Sequence, residues 1–350
     1  MIANASVPES VALAERYASA RDVPANRVCL LELPEVEDLT LEDYGTLFLE
    51  PLRACLDAGG VRDRIEAAVL IRGVPLRVSV PVSSGNEIVS LAAALGLWES
   101  TLADGTPMLG QEPGMSASCG DGITCYAARW RNAYRGDAFD PGWSVEASGA
   151  MHRPLLVTML HGRSYADAER LLDSALEAEA SEPGDGDLLF MEGADPARGA
   201  QDPQNALVIA ELTSRGLSAS SVPFDANLTG RTLGAFFTGT ASLGETIEGN
   251  TYLPGSLVDN LTSFGAVPGN FRETGESQVS IARWVAMGVA GVHGTVAEPS
   301  TTASRTGGSS SPTWTARRSP RPTTRRCRSC TGRTSSSAIP WPRPTRSAPR

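Results

Sequence analysis

The sequence predicts an α/β protein with a mostly parallel sheet and helices on both faces. Helix patterns alternate with short apolar runs along most of the chain, which is typical of parallel strands joined by crossover helices. The runs at 67–78 and 288–296 are almost entirely apolar, as expected for strands buried on both faces. No apolar run reaches the roughly 18 residues that a membrane span needs.

The first half contains two predicted helices. Ser6 and Glu9 form a capping-box pattern with Pro8 in the first turn, which predicts a helix start. The second helix is indicated by apolar residues at helical spacing from Phe48 to Leu56. The predicted helices span about 6–22 and 41–58. Strands are predicted at 27–33 and in the apolar run 67–78, where residues 73–77 look like the carboxyl end of the strand entering a loop. Residues 1–4 look like the last turn of a strand, which predicts that the natural chain starts earlier and that any signal peptide is lost with it.

The second half resumes the same alternation. Ser164 is a predicted helix cap, and the helix that follows has an apolar stripe that includes Leu171 and Leu172. The predicted helices span 164–180 and about 205–216, and the predicted strands span 154–160, 187–191, 220–224, 233–238 and 288–296. We therefore expect three regions: an N-terminal α/β unit at 1–150 with an irregular loop at 101–150, a C-terminal α/β unit at 151–298, and a tail at 299–350.

Charge is distributed unevenly along the chain. Residues 299–350 hold 11 of the 30 basic residues, all of them arginine, and none of the 40 acidic ones. Residues 1–298 therefore carry a net charge of about −21, which disfavours binding to nucleic acid or to anionic membranes. Nucleic acid becomes a plausible partner only if the basic tail is genuine.

Four of the six cysteines lie in the body of the protein. Cys29 falls in a predicted strand and Cys55 on the apolar face of a predicted helix, so both are expected to be buried thiols. Cys119 and Cys125 flank a glycine-rich loop, where either a local disulfide or free thiols are possible. His152 and His161 are isolated from other metal-ligand residues, and no nucleotide-binding or nucleophile-elbow motif is present. No metal or cofactor is predicted.

The tail reads as the product of a frameshift. Of its 52 residues, 40 are Ser, Thr, Pro or Arg, with no hydrophobic period, so as written it is expected to be disordered. Codons can be rebuilt from the third base of one residue and the first two bases of the next. From Thr334 this shifted frame permits three apolar residues followed by Gly-Asp-Pro-Leu-Ala, and at 318–332 it permits an amphipathic helix. We expect the last strand of the sheet to be encoded in that frame and to be missing here.

Polar residues that could form a site occur in two places. Arg72 and Arg77 stand near the predicted carboxyl end of a central strand, where they could bind an anion or simply lie on the surface. A second group is expected at a helix start, where it could cap that helix or bind a small anionic ligand: Ser256, Asp259, Asn260, Thr262 and Ser263. Of these, Asp259, Thr262 and Ser263 are candidate catalytic residues, and Ser256 and Asn260 candidate ligand-binding residues. His293 lies inside an apolar strand and is interpreted as a core histidine.

Several segments resemble a bacterial family of conserved hypothetical proteins. The segments that carry this resemblance are Asn4-Ala-Ser, Ala14-Glu-Arg-Tyr17, Arg21-Asp-Val-Pro-Ala-Asn26, Arg72-Gly-Val-Pro-Leu76, Pro254-Gly-Ser-Leu, Leu261-Thr-Ser-Phe264, Gly294-Thr-Val-Ala-Glu-Pro299 and the shifted Gly-Asp-Pro-Leu ending. The resemblance covers nearly all of 1–299, and it implies kinship rather than a particular reaction.

The second half more remotely resembles the caspase-like catalytic domain of gingipain-type cysteine peptidases. Those enzymes carry Tyr-Thr-Gly-His-Gly-Ser after one strand and a cysteine after the next. Here Phe237-Thr-Gly-Thr-Ala-Ser242 has Thr240 in place of the histidine, and Asp259-Asn-Leu-Thr-Ser-Phe264 has no cysteine. Because a thiol nucleophile needs a sulfur and a base, the resemblance implies the fold without the peptidase chemistry.

These observations predict a non-catalytic, caspase-like α/β scaffold for binding or envelope structure, exported in its full-length form. The alternative is a hydrolase or peptidase with non-standard catalytic residues drawn from Asp259, Thr262 and Ser263.

Overall fold

A computed structural model describes residues 1–82, 85–96, 98–99, 155–181, 184–272 and 276–297, and the backbone of 145–147, 150–152 and 334–337. The strands in this part of the chain are β1 (Ile2–Asn4), β2 (Cys29–Leu31), β3 (Asp38–Thr40), β4 (Ala67–Ile71), β5 (Arg77–Val82), β6 (Gly85–Ser90), β7 (Val145–Ala147), β8 (Ala150–His152), β9 (Leu156–Leu160), β10 (Asp187–Met191), β11 (Ala219–Val222), β12 (Thr232–Thr238), β13 (Thr251–Asn260), β14 (Gly291–Thr295) and β15 (Thr334–Ser337). The helices are α1 (Pro8–Arg21), α2 (Leu41–Asp43), α3 (Glu50–Ala58), α4 (Leu91–Gly96), α5 (Tyr165–Ala180), α6 (Asp202–Ser214) and α7 (Ile281–Ala286). A π-helical segment, Tyr44–Leu49, joins α2 to α3.

One sheet organises the fold. Ten strands pair in the order β11-β10-β12-β13-β14-β15-β9-β4-β1-β2. The strands from β11 to β14 are parallel to their neighbours, as are those from β9 to β2, whereas β15 is antiparallel to β14. A separate small sheet contains β3, β5 and β6, and β7 pairs with β8. The α/β class and the mostly parallel sheet are therefore confirmed.

Apolar residues cover both faces of the large sheet. In β4, Val69 and Ile71 join a cluster that includes Trp284 of α7, whereas Ala68 and Leu70 join a cluster that includes Leu52 of α3. We call these the first and second faces. On the second face the strands near the β11 edge pack against α6, in a cluster of Leu188, Phe190, Val208, Leu212 and Ala235. This alternation is the period-two pattern of strands buried on both sides.

The strand predicted in the apolar run 67–78 enters a loop near Gly73, as predicted. It ends at Ile71, and the chain turns at Gly73 before β5 begins at Arg77 in the small sheet. Gly73 has a φ of 101°, and a Cβ there would lie 2.8 Å from the Cβ of Ser10. Only glycine fits this turn, because a side chain would be strained by the positive φ and would also clash with α1.

Strands from both predicted units share the large sheet. The full length of β4 pairs with β9, and the first-face cluster contains residues from α1 and α5 alike. The boundary near residue 150 remains a prediction. The irregular loop at 101–150 lies outside the described residues, apart from the backbone of β7 and the first residue of β8.

The prediction that the last strand is missing is corrected by β15. Thr334–Ser337 pairs with β14 and meets β9 at Met159, so it fills a position in the middle of the sheet. These four residues are an exception to the predicted disorder of the tail, and the other residues of 299–350 lie outside the described part. Local sequence could not reveal this strand, because four polar residues carry no hydrophobic pattern.

The prediction of two buried thiols at Cys29 and Cys55 is wrong. Helix α3 packs on β2, and the two cysteines form a disulfide with their Cα atoms 5.9 Å apart. Each residue lies in the apolar environment that the sequence predicted, but the distance between them depends on how the helix packs on the sheet. Cys119 and Cys125 lie outside the described residues.

Candidate functional site

The polar group predicted at a helix start lies instead on a strand and the loop after it. Ser256, Asp259 and Asn260 belong to β13, Thr262 and Ser263 follow it, and the next α-helix begins only at Ile281. The expected helix cap is therefore corrected. A ten-residue strand is favoured here because β12 and β14 flank it on both sides. The carboxyl end of a parallel strand is also where α/β proteins tend to place ligands.

Asp259 and His293 form a hydrogen-bonded pair on neighbouring strands. They are register partners in β13 and β14, and the His293 Nδ1 atom lies 3.0 Å from the Asp259 Oδ1 atom. The side chains are 18% and 26% exposed, so the pair is only partly covered. Phe237 of β12 lies on the other side of Asp259 in the same row and stacks on Phe190 at 4.6 Å.

Only one of the two ring nitrogens of His293 has a hydrogen-bond partner in the described part of the chain, which differs from the core histidine expected from the sequence. Its Nε2 atom is buried and has no hydrogen-bond partner. Burial lowers the pKa of His293, but the Asp259 charge and hydrogen bond outweigh burial and raise it above the ordinary value. A carboxylate on Nδ1 fixes the ring and its tautomer and leaves Nε2 to accept or donate a proton. This is the geometry of a general base, although Nε2 has no hydroxyl or thiol partner in the described part of the chain.

Asn260 holds the turn that follows β12. Its Oδ1 atom accepts a hydrogen bond of 2.9 Å from the Thr240 backbone N–H, and its Nδ2 atom donates one of 3.0 Å to the Thr240 carbonyl. The Thr240 hydroxyl in turn accepts from the Ser242 N–H and donates to the Ser242 carbonyl. Both the oxygen and the nitrogen of the Asn260 side-chain amide therefore bind the backbone of Thr240.

Gln278 organises the loop after β13 and is a residue that the sequence did not single out. Its Oε1 atom accepts hydrogen bonds from the Thr262 hydroxyl and from the N–H groups of Ser263 and Phe264. The Thr295 hydroxyl of β14 donates to the carbonyls of Thr262 and Ser263. No local pattern marks Gln278, since its partners lie 14 to 16 residues away in the chain.

Ser256 lies apart from this loop. Its hydroxyl is buried without a hydrogen-bond partner, and the residue is 1% exposed. A ligand could reach the hydroxyl only by entering the protein interior.

Arg72 links the carboxyl ends of two strands. Its guanidinium donates to the carbonyls of Gly162 and Arg163, which follow β9, and lies 5.2 Å from the centre of the Tyr165 ring. The neighbouring His161 is buried, and burial together with the Arg72 charge lowers its pKa to about 3. Three strands separate β4 from β13, so at about 4.8 Å per strand Arg72 lies roughly 19 Å from the Asp259 strand.

Arg77 lies in the small sheet. It forms a two-pronged ion pair with Asp38 of β3, with N–O distances of 2.6 and 2.7 Å. The structure therefore brings Asp259, Asn260, Thr262 and Ser263 together at one strand end, and it places Arg72 and Arg77 elsewhere.

The described residues form neither a metal-ligand cluster nor a membrane-spanning helix. Within the described ranges, no three His, Cys, Asp or Glu side chains are close enough to hold a metal ion. No helix in these ranges has the length and apolarity to cross a membrane. The chain matches no protein-family model, no curated protein and no solved structure. Both resemblances drawn from the sequence therefore remain predictions.

Proposed function

We propose that the chain is a non-catalytic α/β scaffold that binds a partner, with a caspase-like second half. One observation carries this proposal: the polar groups after β12 and β13 are hydrogen-bonded to other groups of the protein itself. Asn260 binds both backbone groups of Thr240, and the Thr262 hydroxyl binds Gln278. A hydrolase would instead keep a nucleophile within hydrogen-bond reach of its base.

The caspase-like part of the proposal is supported by where the two diagnostic segments lie. Thr240 follows β12, and Leu261–Phe264 follows the adjacent parallel strand β13. In the cysteine peptidases that the sequence resembles, the histidine and the cysteine occupy such positions. Here the first position holds a threonine whose hydroxyl closes its own turn, and the second holds no sulfur.

An exported or envelope location is supported by the Cys29–Cys55 disulfide. Structural disulfides persist in oxidising compartments and are rare in a reducing cytosol. The acidic body of the chain disfavours nucleic acid as the partner, which leaves proteins or small ligands.

The test of this proposal is a hydrolysis assay on the purified protein. Mixed fluorogenic peptide and ester substrates should give no turnover above that of His293→Ala protein. Turnover that disappears in both His293→Ala and Asp259→Asn, but survives in Thr240→Val, would overturn the scaffold proposal. The Thr240→Val control removes a hydroxyl that follows the adjacent strand β12, without touching the histidine pair.

A hydrolase is the second candidate, favoured by the free Nε2 atom of His293. In this reading His293 is the general base and Asp259 orients it, as the third member orients the base in a triad. Thr262 would have to leave Gln278 to serve as nucleophile, and Ser263 would have to turn from the buried loop. A serine-directed fluorophosphonate that labels either residue would support this candidate, and labelling should then fall in Asp259→Asn.

A further inference from the structure

Strand β15 occupies an unusual place for its sequence. It lies between β14 and β9, in the middle of a ten-stranded sheet. All four of its residues pair with β14, whereas only Ser337 pairs with β9, opposite Met159. Strand β15 therefore joins the two parts of the sheet, but most of its backbone pairing is with β14.

Strand β15 has apolar neighbours on both faces of the sheet, although its register partners on β14 also include His293 and Thr295. Ser335 and Ser337 take the register positions opposite Gly294 and Val292 of β14, and Val292 belongs to the first-face core. On the other face, α4 lies against both β9 and β15. Met159 of β9 is buried, as are Leu91, Ala94 and Leu95 of α4.

Thr-Ser-Ser-Ser is a poor match to such a position. Strands that are covered on both faces are normally rich in Val, Ile and Leu, because burial of apolar surface stabilises them. The neighbouring β9 has the sequence Leu-Val-Thr-Met-Leu, as this rule expects. The shifted reading of the codons for 334–337 permits three apolar residues in the same place.

We propose that the position between β14 and β9, which β15 fills in this structure, is a strand-accepting site. Its ligand is an extended apolar peptide that lies antiparallel to β14. Residues 334–337 are its weak occupant in this chain. Backbone hydrogen bonds to β14 would supply affinity, and the first-face core beside Val292 would select apolar side chains at alternate positions. The site adjoins the Asp259–His293 pair, because His293 is the register partner of Ser336, but binding of a strand needs no reaction at the histidine.

The experiment measures binding of a labelled peptide to the full chain by fluorescence anisotropy. The peptide Val-Ile-Val-Gly-Asp-Pro-Leu follows the shifted reading, and Ser-Ser-Ser-Gly-Asp-Pro-Leu is its matched control. The apolar peptide should bind at least about tenfold more tightly than the control.

A variant of the full chain tests whether the peptide uses this position. Ser335→Val with Ser337→Val should let the chain's own β15 fill the gap better, so the melting temperature should rise and the apolar peptide should bind about tenfold more weakly. Ser309→Val with Ser311→Val, in the tail but outside β15, is the control and should change neither quantity. Absence of peptide binding, equal binding of the two peptides, or binding unaffected by the 335/337 variant would each overturn the proposal.

Discussion

The Nδ1 atom of His293 lies 3.0 Å from a carboxylate oxygen of Asp259, on the adjacent parallel strand. The two residues are 34 positions apart in sequence, and the segment between them includes the loop after β13 and all of α7. The pair therefore exists only because β13 and β14 are neighbours in this register.

Replacement of Asp259 should lower the pKa of His293. Asp259→Asn removes the negative charge that raises the pKa of His293, whereas the burial that lowers this pKa remains. In the unchanged protein the pKa of His293 is raised in the folded state. The Asp259–His293 pair therefore contributes its full stability below about pH 6.5, and this contribution is lost as the pH rises through the folded-state pKa. NMR titration of the imidazole signals measures the change, and Asp38→Asn, in the small sheet, is the control. An unaltered His293 titration in Asp259→Asn would contradict the pairing.

The two arginines predicted as anion ligands should differ sharply in their effect on stability. Arg72→Ala leaves the carbonyls of Gly162 and Arg163 without their charged donor, which should cost about 3 kcal/mol of unfolding free energy. Arg77→Ala removes a partly exposed ion pair with Asp38 and should cost less than about 1 kcal/mol. Urea unfolding of both variants measures the difference. Equal losses would show that Arg72 is not the link between β4 and β9.

Acid should destabilise the fold through His161. Its pKa is lowered to about 3 by burial and the Arg72 charge, so the unfolded chain takes up this proton below about pH 6.5 while the folded chain does not. Stability should therefore fall as the pH falls through this window. Between pH 7 and pH 4.5 the unfolding free energy of the unchanged chain should fall by about 2 kcal/mol more than that of His161→Asn, which lacks the titrating group. A parallel pH dependence of the two proteins would refute this.

The disulfide should be detectable and stabilising. Cys29 and Cys55 are 26 residues apart, and a link across such a loop is worth about 3 kcal/mol in the chain-entropy model. Peptide mapping without reductant should recover the linked pair, and the Cys29→Ser, Cys55→Ser double variant should unfold at lower urea concentration. The control is the unreduced protein with Cys327→Ser, in the tail. Alkylation of both cysteines in the native, unreduced protein would exclude the bond.

The frameshift interpretation is tested at the level of the gene. Resequencing from codon 290 to beyond codon 350 should reveal one inserted or deleted base, after which the frame reads three apolar residues and Gly-Asp-Pro-Leu at β15. Confirmation of the present frame would make the basic tail genuine. Binding to nucleic acid or to an acidic protein would then have to be measured, because 11 arginines without any acidic residue attract polyanions.

The helices and strands of the second half were largely predictable. Ser164 and Asp167 form the capping box at the start of α5, and that helix ends at Ala180 as predicted. The predicted strand at 187–191 coincides with β10. Such elements are encoded locally, by an apolar period and by the residue that caps or breaks it. The cap predicted at Ser6 failed, because α1 begins at Pro8 after Val7 and no side chain caps it.

The amino-acid sequence by itself determined the α/β class, the parallel sheet, the acidic body and the break in character after residue 298, since these depend on composition and short-range periodicity. Only the tertiary structure decided that Cys29 meets Cys55, that Gln278 holds the loop after β13, and that Asp259 meets His293. Each of these contacts depends on which elements become neighbours and in what register. That choice is made by packing across the whole sheet, where a shift of one residue moves every side chain of a strand to the other face.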